Sequence, residues 1–260
     1  MPATGPMSTP HDSLFCQVFS DPHHAEGELR ALLPADIEQQ VAWHTLERLP
    51  ATYKDVAHGD RHADLLFGVE IGGEPALLYL LLEHKTTSDR RTALQLLTYV
   101  SRILEQYDRD HPQDARLPPI LAMVVYHGVK GWRRSTELLD LFHLNAVTRR
   151  LLAPYLPQLR FLLDDLSAIT PEALAARTQT ALAHLVLGCL QRLSEGADLG
   201  RVMRGLRDVF RAAHAAPDTG ALLSAVLTYI ARVRDLPHDD LRNIIRVELG
   251  PDLEQQMTST

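Results

Sequence analysis

Cysteine is scarce in this chain: Cys16 and Cys189 are the two present in 260 residues. Two thiols cannot build a disulfide framework or a four-thiolate zinc cage, and a reducing cytoplasm is the compartment such usage fits. Positive charge is also short. Lys and Arg together number 26 against 33 Asp and Glu, a net charge of −7. That balance excludes a protein that coats nucleic acid wholesale by electrostatics, while leaving room for a local basic groove. No apolar run approaches the roughly 20 residues of a bilayer span. The opening MPATGPMSTP has no basic region followed by an apolar core, so neither a membrane segment nor a signal peptide is expected. G-x-S-x-G and G-x-x-x-x-G-K-[ST] elements are missing, which removes the α/β-hydrolases and the phosphate-loop enzymes. No internal repeat or low-complexity tract is visible.

What remains is an ordinary globular composition, 45% hydrophobic and 23% charged, long enough to bury a substantial core. Residues 1–10, rich in Pro, Thr and Ser, read as a flexible leader. Leu14, Phe15, Val18 and Phe19 share a helical face, and a second short helix is expected over 25–33, stopping before Pro34. WHTLERL (43–49) alternates as an exposed strand does. ADLLFGVEI (63–71) and PALLYLLLEHK (75–85) are strands separated by Gly72-Gly73, a hairpin signal. Residues 92–107 form an amphipathic helix on Ala93, Leu96, Leu97, Val100, Ile103, Leu104 and Tyr107. ILAMVVY (120–126) reads as a central strand, and RFLLDDL (160–166) as a further one. From Pro171 the character turns helical, with helices expected over 171–193, 199–214 and 219–234. The chain divides on this reading into a leader (1–10), an α/β domain (11–167) and a helical extension (168–260).

The strand 75–85 raises a chemical question, because a run carrying Leu77, Leu78, Leu80, Leu81 and Leu82 ends in Glu83, His84 and Lys85. Side chains alternate faces along a strand, so Glu83 and Lys85 point one way and His84 the other. If Gly72-Gly73 is the turn, Asp64 lies opposite Leu81; if Gly73-Glu74 turns, it lies opposite Glu83. Either register puts Asp64, Glu83 and Lys85 on one face, with opposed or diagonal side chains roughly 5–8 Å apart at Cβ. Two carboxylates so placed can clamp one divalent cation beside an ammonium group. That set suits metal-assisted hydrolysis of a phosphodiester, with Mg²⁺ favoured by the hard oxygens and Mn²⁺ or Ca²⁺ as substitutes. The competing reading is a strand end passing into solvent, and spacing does not decide between them. HGDRHAD (58–64) offers two histidines on a loop without fixed geometry, which argues against zinc there.

These residues resemble the D…E-x-K signature of the PD-(D/E)xK nuclease superfamily. HDSLFCQVFSDP (11–22), RHADLLFGVEI, LLLEHK, QLLTYVSRI and VVYHG followed by Trp132 occur in that order, and together they resemble the recombination-promoting nucleases, also called the transposase-31 family. The resemblance covers 11–167 closely and the helical part more loosely. It implies a restriction-endonuclease-like α/β core, a mixed sheet flanked by helices, with a helical C-terminal subdomain. It further implies Asp64 and Glu83 as metal ligands and Lys85 as the third catalytic position. Ala63 stands where the superfamily's name has proline, and Lys85 where members of this family often carry Gln. Gln95 and Tyr99 resemble a Gln-x-x-x-Tyr element in which the helix flanks the metal site and touches DNA, with Gln95 orienting substrate or site; an ordinary polar helix face is the alternative. His127-Gly128 reads as a turn, and Glu28 as a helix glutamate able to approach the metal. Arg90 and Arg91, Arg133 and Arg134, and Arg149 and Arg150 are paired arginines, each pair either a solvated surface pair or a phosphate contact. Arg201, Arg204, Arg207 and Arg211 form a stripe that reads as a solvated helix face, with phosphate backbone contact as the alternative. The expected activity is Mg²⁺-dependent cleavage of double-stranded DNA by a homodimer, in recombination or on mobile elements. A catalytically inactive scaffold of the same fold is the rival.

Overall fold

The structure is a computed structural model, and it describes residues 9–50, 63–83, 89–193, 197–251 and 253–254. In chain order the elements are α1 (Pro10–Phe19), α2 (Pro22–Leu32), α3 (Ala35–Glu38), β1 (Val41–Leu49), β2 (Ala63–Ile71), β3 (Glu74–Glu83), α4 (Thr92–Asp110), β4 (Ile120–Tyr126), α5 (Ala146–Leu152), β5 (Leu162–Asp165), α6 (Pro171–Ala175), α7 (Ala181–Arg192), α8 (Leu199–Gly205), α9 (Arg207–Ala215), α10 (Gly220–Val233) and α11 (His238–Glu248), with short 3-10 turns at Leu138–Leu141 and Ala153–Tyr155. They gather into two compact units. One holds the described residues up to Ala31 and those from Leu166 onward; the other runs from Leu32 and includes Asp64–Asp165.

The second unit is built on a five-stranded sheet in the order β1-β2-β3-β4-β5. Gly72 and Gly73 connect β2 to β3 with φ of 62° and 83°. Positive φ at both central residues is the type I′ geometry whose twist matches a tight hairpin. The turn therefore sits where the first of the two sequence registers needs it. β1 joins β2 antiparallel, with its register broken between Ala42 and Glu47. Thr45 fills that irregularity: its hydroxyl donates to the Ala42 carbonyl at 2.7 Å and accepts the Glu70 N–H at 2.9 Å. After β3 the chain crosses through α4 and returns as β4, parallel to β3, with β5 parallel to β4. This is the mixed sheet with a flanking helix that the sequence resemblance implies.

α4 lies on one face of the sheet because its apolar residues return every three or four positions. Leu96 and Ile103 are 0% and 1% exposed, and they join Leu66, Leu77, Tyr79, Leu81, Ala122 and Val124 in one core. Burying each such side chain contributes about 2 kcal/mol. The other face of β3, with Leu78, Leu80 and Leu82, is fully buried as well, as are Met123 and Val125 of β4. A strand buried on both faces reads as a continuous apolar run, which is why alternation is absent from 77–82.

The first unit is helical. α1 opens on a capping box in which the Thr9 side chain accepts the Asp12 N–H and the Asp12 carboxylate accepts the Thr9 N–H. α1 packs on α7 and α10, α7 on α9, and α8 on α11. Three expectations are corrected. The boundary near residue 167 reappears at Asp165, but α1 and α2 belong with the C-terminal helices and not with the sheet. The helix expected over 171–193 is two, because the Thr180 side chain accepts the Ala183 N–H and starts α7 afresh. The helix expected over 199–214 is also two, parted at Leu206, and α11 was not anticipated.

Candidate active site

Counting back from the Gly72-Gly73 turn sets Ile71 against Glu74 and Asp64 against Leu81. Asp64 then shares a face with Leu66, and Glu83 with Leu77, Tyr79 and Leu81, which is the α4 side. Glu83 lies diagonal to Asp64, a separation of roughly 7–8 Å between Cα atoms. Tyr79, on the other diagonal of Asp64, donates its hydroxyl to Asp64 Oδ2 at 3.1 Å, which ties β2 to β3 at this end of the hairpin. Asp64 is half-buried and Glu83 is 1% exposed. A carboxylate sunk to that depth at a strand end is a poor fit to a strand merely passing into solvent.

The parallel register extends this line of groups. Glu83 is level with Tyr126 on β4, and Tyr126 with Asp165 on β5. Tyr126 is fully buried, and its hydroxyl has no hydrogen-bond partner among the described residues. Burial raises its pKa, and the Asp165 and Glu83 charges raise it further. Trp132 meets Tyr126 edge-on at 5.2 Å and Phe161 at 5.7 Å, while its backbone N–H donates to Asp165 Oδ2 at 2.6 Å. The segment after β4 is thus pinned across the sheet end.

Arg48 fastens the opposite side. Its guanidinium donates to the Leu66 and Leu49 carbonyls at 2.7 and 2.8 Å, reaches the Asp64 carbonyl at 3.5 Å, and lies 5.5 Å over the Phe67 ring. Tyr79, Tyr126, Asp165 and Arg48 were not singled out by sequence reasoning. Residue parity along β3 could have found Tyr79, four positions before Glu83, and strand-end alignment could have found Tyr126.

The remaining expected residues are placed as follows. Tyr99 stacks on Tyr79, with centroids 5.8 Å apart and planes 28° apart, so its ring joins the core face. Gln95 is half-buried one turn nearer the α4 N-terminus, on the side of Tyr99. Arg90 and Arg91 are exposed at the start of α4, where Asp89 accepts the Arg91 N–H at 2.8 Å. Arg133 and Arg134 are exposed beside Trp132. His127 leaves β4 with its N–H directed to the Glu83 carbonyl at 3.4 Å. Glu28 belongs to the helical unit, 0% exposed and paired with Arg177 at 2.9 Å, so its carboxylate is engaged in a buried ion pair there. Arg204 and Arg207 meet Glu248, at 3.1 Å through its side chain and 2.6 Å through its carbonyl, and the stripe expected on one solvated helix face is divided between α8 and α9. Lys85, His84 and the histidines of HGDRHAD lie outside the described residues.

Among the described residues no three His, Cys, Asp or Glu gather into a ligand cluster. The donor set there is Asp64 and Glu83, hard oxygens only. It fits a cation such as Mg²⁺, which keeps several waters and takes one or two carboxylates from the protein. The unpartnered Tyr126 hydroxyl level with Glu83 adds a buried polar atom that a hydrated ion would satisfy. Among the described residues no helix is long and apolar enough to cross a membrane.

Residues 9–219 match the Transposase_31 family, described as "Putative transposase, YhgA-like". The chain is 25% identical over 180 residues to the recombination-promoting nuclease RpnD of Escherichia coli O157:H7, covering 69% of this chain and 67% of that one. It is 26% identical over 181 residues to the recombination-promoting nuclease RpnA of Escherichia coli K12, covering 69% and 59%. It is 24% identical over 180 residues to the inactive recombination-promoting nuclease-like protein RpnE of the same strain, covering 69% and 58%. The chain thus spans about three fifths to two thirds of these relatives. No solved structure matches.

Proposed function

The chain belongs to the Transposase_31 family, and from that premise we propose that it is a divalent-metal-dependent endonuclease acting on double-stranded DNA in recombination or mobile-element movement. The single observation that carries this reading is the hairpin constellation: Asp64, held by Tyr79 at 3.1 Å, diagonal to the buried Glu83. Asp64 and Glu83 would hold Mg²⁺, with Mn²⁺ or Ca²⁺ as substitutes. A cation bound there supplies charge neutralisation at the phosphoryl oxygens and a water of lowered pKa.

The chain's own groups do the rest. Lys85, two residues beyond Glu83 in sequence, is the group assigned to assist the attacking water. Gln95 is assigned to orient the site from α4. Arg90 and Arg91 flank the α4 N-terminus, whose dipole also favours phosphate, and Arg133 and Arg134 flank the end of β4. Two arginine pairs bordering neighbouring strand ends suit the backbone of one duplex despite the chain's net charge of −7. One site per chain cuts one strand, so cleavage of both calls for two copies.

The second reading is an inactive module, favoured by the near-equal identity to a relative named as inactive and one named as a nuclease, 24% and 26%. Supercoiled plasmid incubated with the full chain in Mg²⁺ separates the two. Nicking or linearisation that disappears in EDTA and in Asp64→Asn and Glu83→Gln is the expected result. Intact plasmid across Mg²⁺ and Mn²⁺, with duplex binding retained in Ca²⁺, would give the inactive module the lead.

A further inference from the structure

The cation site leans on a side chain that no metal would touch. Tyr79 is 3% exposed and sits in the core between β2, β4 and α4, yet its hydroxyl points out of that core to the half-buried Asp64 carboxylate. A phenylalanine would fill the same volume and stack on Tyr99 equally well, so packing does not account for the hydroxyl.

We propose that Tyr79 is the positioning residue of the site: its hydroxyl fixes the Asp64 carboxylate in the ligating orientation, and the Tyr99 ring from α4 fixes Tyr79. This rests on the proposed cation site. Partners that orient a metal ligand remove the entropy the ligand would otherwise lose on binding, and their loss typically weakens metal affinity 10–100-fold. The Gln-x-x-x-Tyr spacing gains a structural meaning here. Tyr99 acts through Tyr79 and need not touch DNA.

The test is Mn²⁺ binding by titration calorimetry on the full chain, with the metal-free Tm measured beside it. Tyr79→Phe weakens Mn²⁺ binding about tenfold, at the low end of that range, while the metal-free Tm stays within a few degrees. Tyr99→Leu, which keeps the hydroxyl and loosens the ring, weakens binding to a smaller degree. In an Asp64→Asn background, Tyr79→Phe has no further effect on the residual affinity. Equal Mn²⁺ affinity in wild type and Tyr79→Phe overturns the positioning role and leaves the cation site standing. A Tyr79→Phe loss of the same size in both backgrounds also overturns it, because the effect would not run through Asp64. Absence of Mn²⁺ binding by wild type overturns the cation site itself, and this inference with it.

Discussion

Replacing Arg177 with methionine removes a cationic partner from a fully buried carboxylate. Glu28 is 0% exposed and Arg177 14%, with Arg177 Nη1 2.9 Å from Glu28 Oε2. Charges about 4 Å apart attract by about 4 kcal/mol at the effective dielectric typical of protein sites. Breaking a buried pair from one side costs about 3–5 kcal/mol, because the remaining charge is left uncompensated. Methionine keeps most of the arginine stem's volume, so the loss reports charge more than packing. Urea denaturation of the Arg177→Met chain, followed by circular dichroism, is expected to show that destabilisation with an unchanged m-value. Adding Glu28→Gln restores at least about 1 kcal/mol of it, since the pair is then neutral on both sides. Cys189 supplies a second readout in the same helical unit. It is fully buried, and burial pushes its thiol up to about 12, so it reacts with thiol reagents only when the unit opens. Its labelling rate should rise in Arg177→Met and fall back in the double variant. A loss below about 1 kcal/mol in Arg177→Met would refute the reasoning, and would mean that Glu28 is neutral or otherwise compensated.

Two further outcomes follow from the same structure. Gly73→Val places a β-branched residue at φ 83° with nothing within 4 Å of its Cβ, so the cost is conformational alone. About 1–2 kcal/mol is expected by thermal or urea denaturation, and none would contradict the type I′ assignment. His24 and His184 both titrate below their ordinary value, His24 chiefly through burial and His184 through burial and then Arg192. A histidine lowered in the folded state binds fewer protons than the unfolded chain does, so its stability contribution is full above about pH 6.5 and lost as pH falls below it. Stability measured between pH 7.5 and 5 should therefore decline, and His24→Gln, which keeps a partner for the Thr180 hydroxyl, should flatten the decline; an unchanged slope would contradict the role given to His24.

How much was legible in sequence depends on which physical signal each feature leaves. β2, α4 and β4 could be bounded closely because period-2 and period-3.6 patterns and a Gly-Gly turn are local. The hairpin register followed from the turn by counting. The partner of an apolar face is not local: Leu14, Phe15, Val18 and Phe19 announce a buried stripe but not that α7 and α10 cover it, and so α1 was assigned to the sheet. The break before Thr180 has no Gly or Pro to mark it, while Gly205, just ahead of the break at Leu206, was a signal passed over. Asp64 and Glu83 stood out as charges ending apolar strands. Tyr79 did not, because in a leucine-rich strand it reads as one more core residue, and only the fold brings its hydroxyl to Asp64. Tyr126 was hidden for a similar reason, as the last residue of a run whose level with Glu83 depends on the crossover through α4.

The central claim is that Asp64 and Glu83 form a cation site, and the count of Mn²⁺ ions held per chain tests it most directly. Electron paramagnetic resonance of free Mn²⁺, titrated with the full chain, reads that count without DNA or turnover. The account predicts saturable binding by wild type that both Asp64→Asn and Glu83→Gln reduce at least tenfold, with each variant still folded. Wild-type binding that persists undiminished in both variants would contradict it and place the ion elsewhere on the chain.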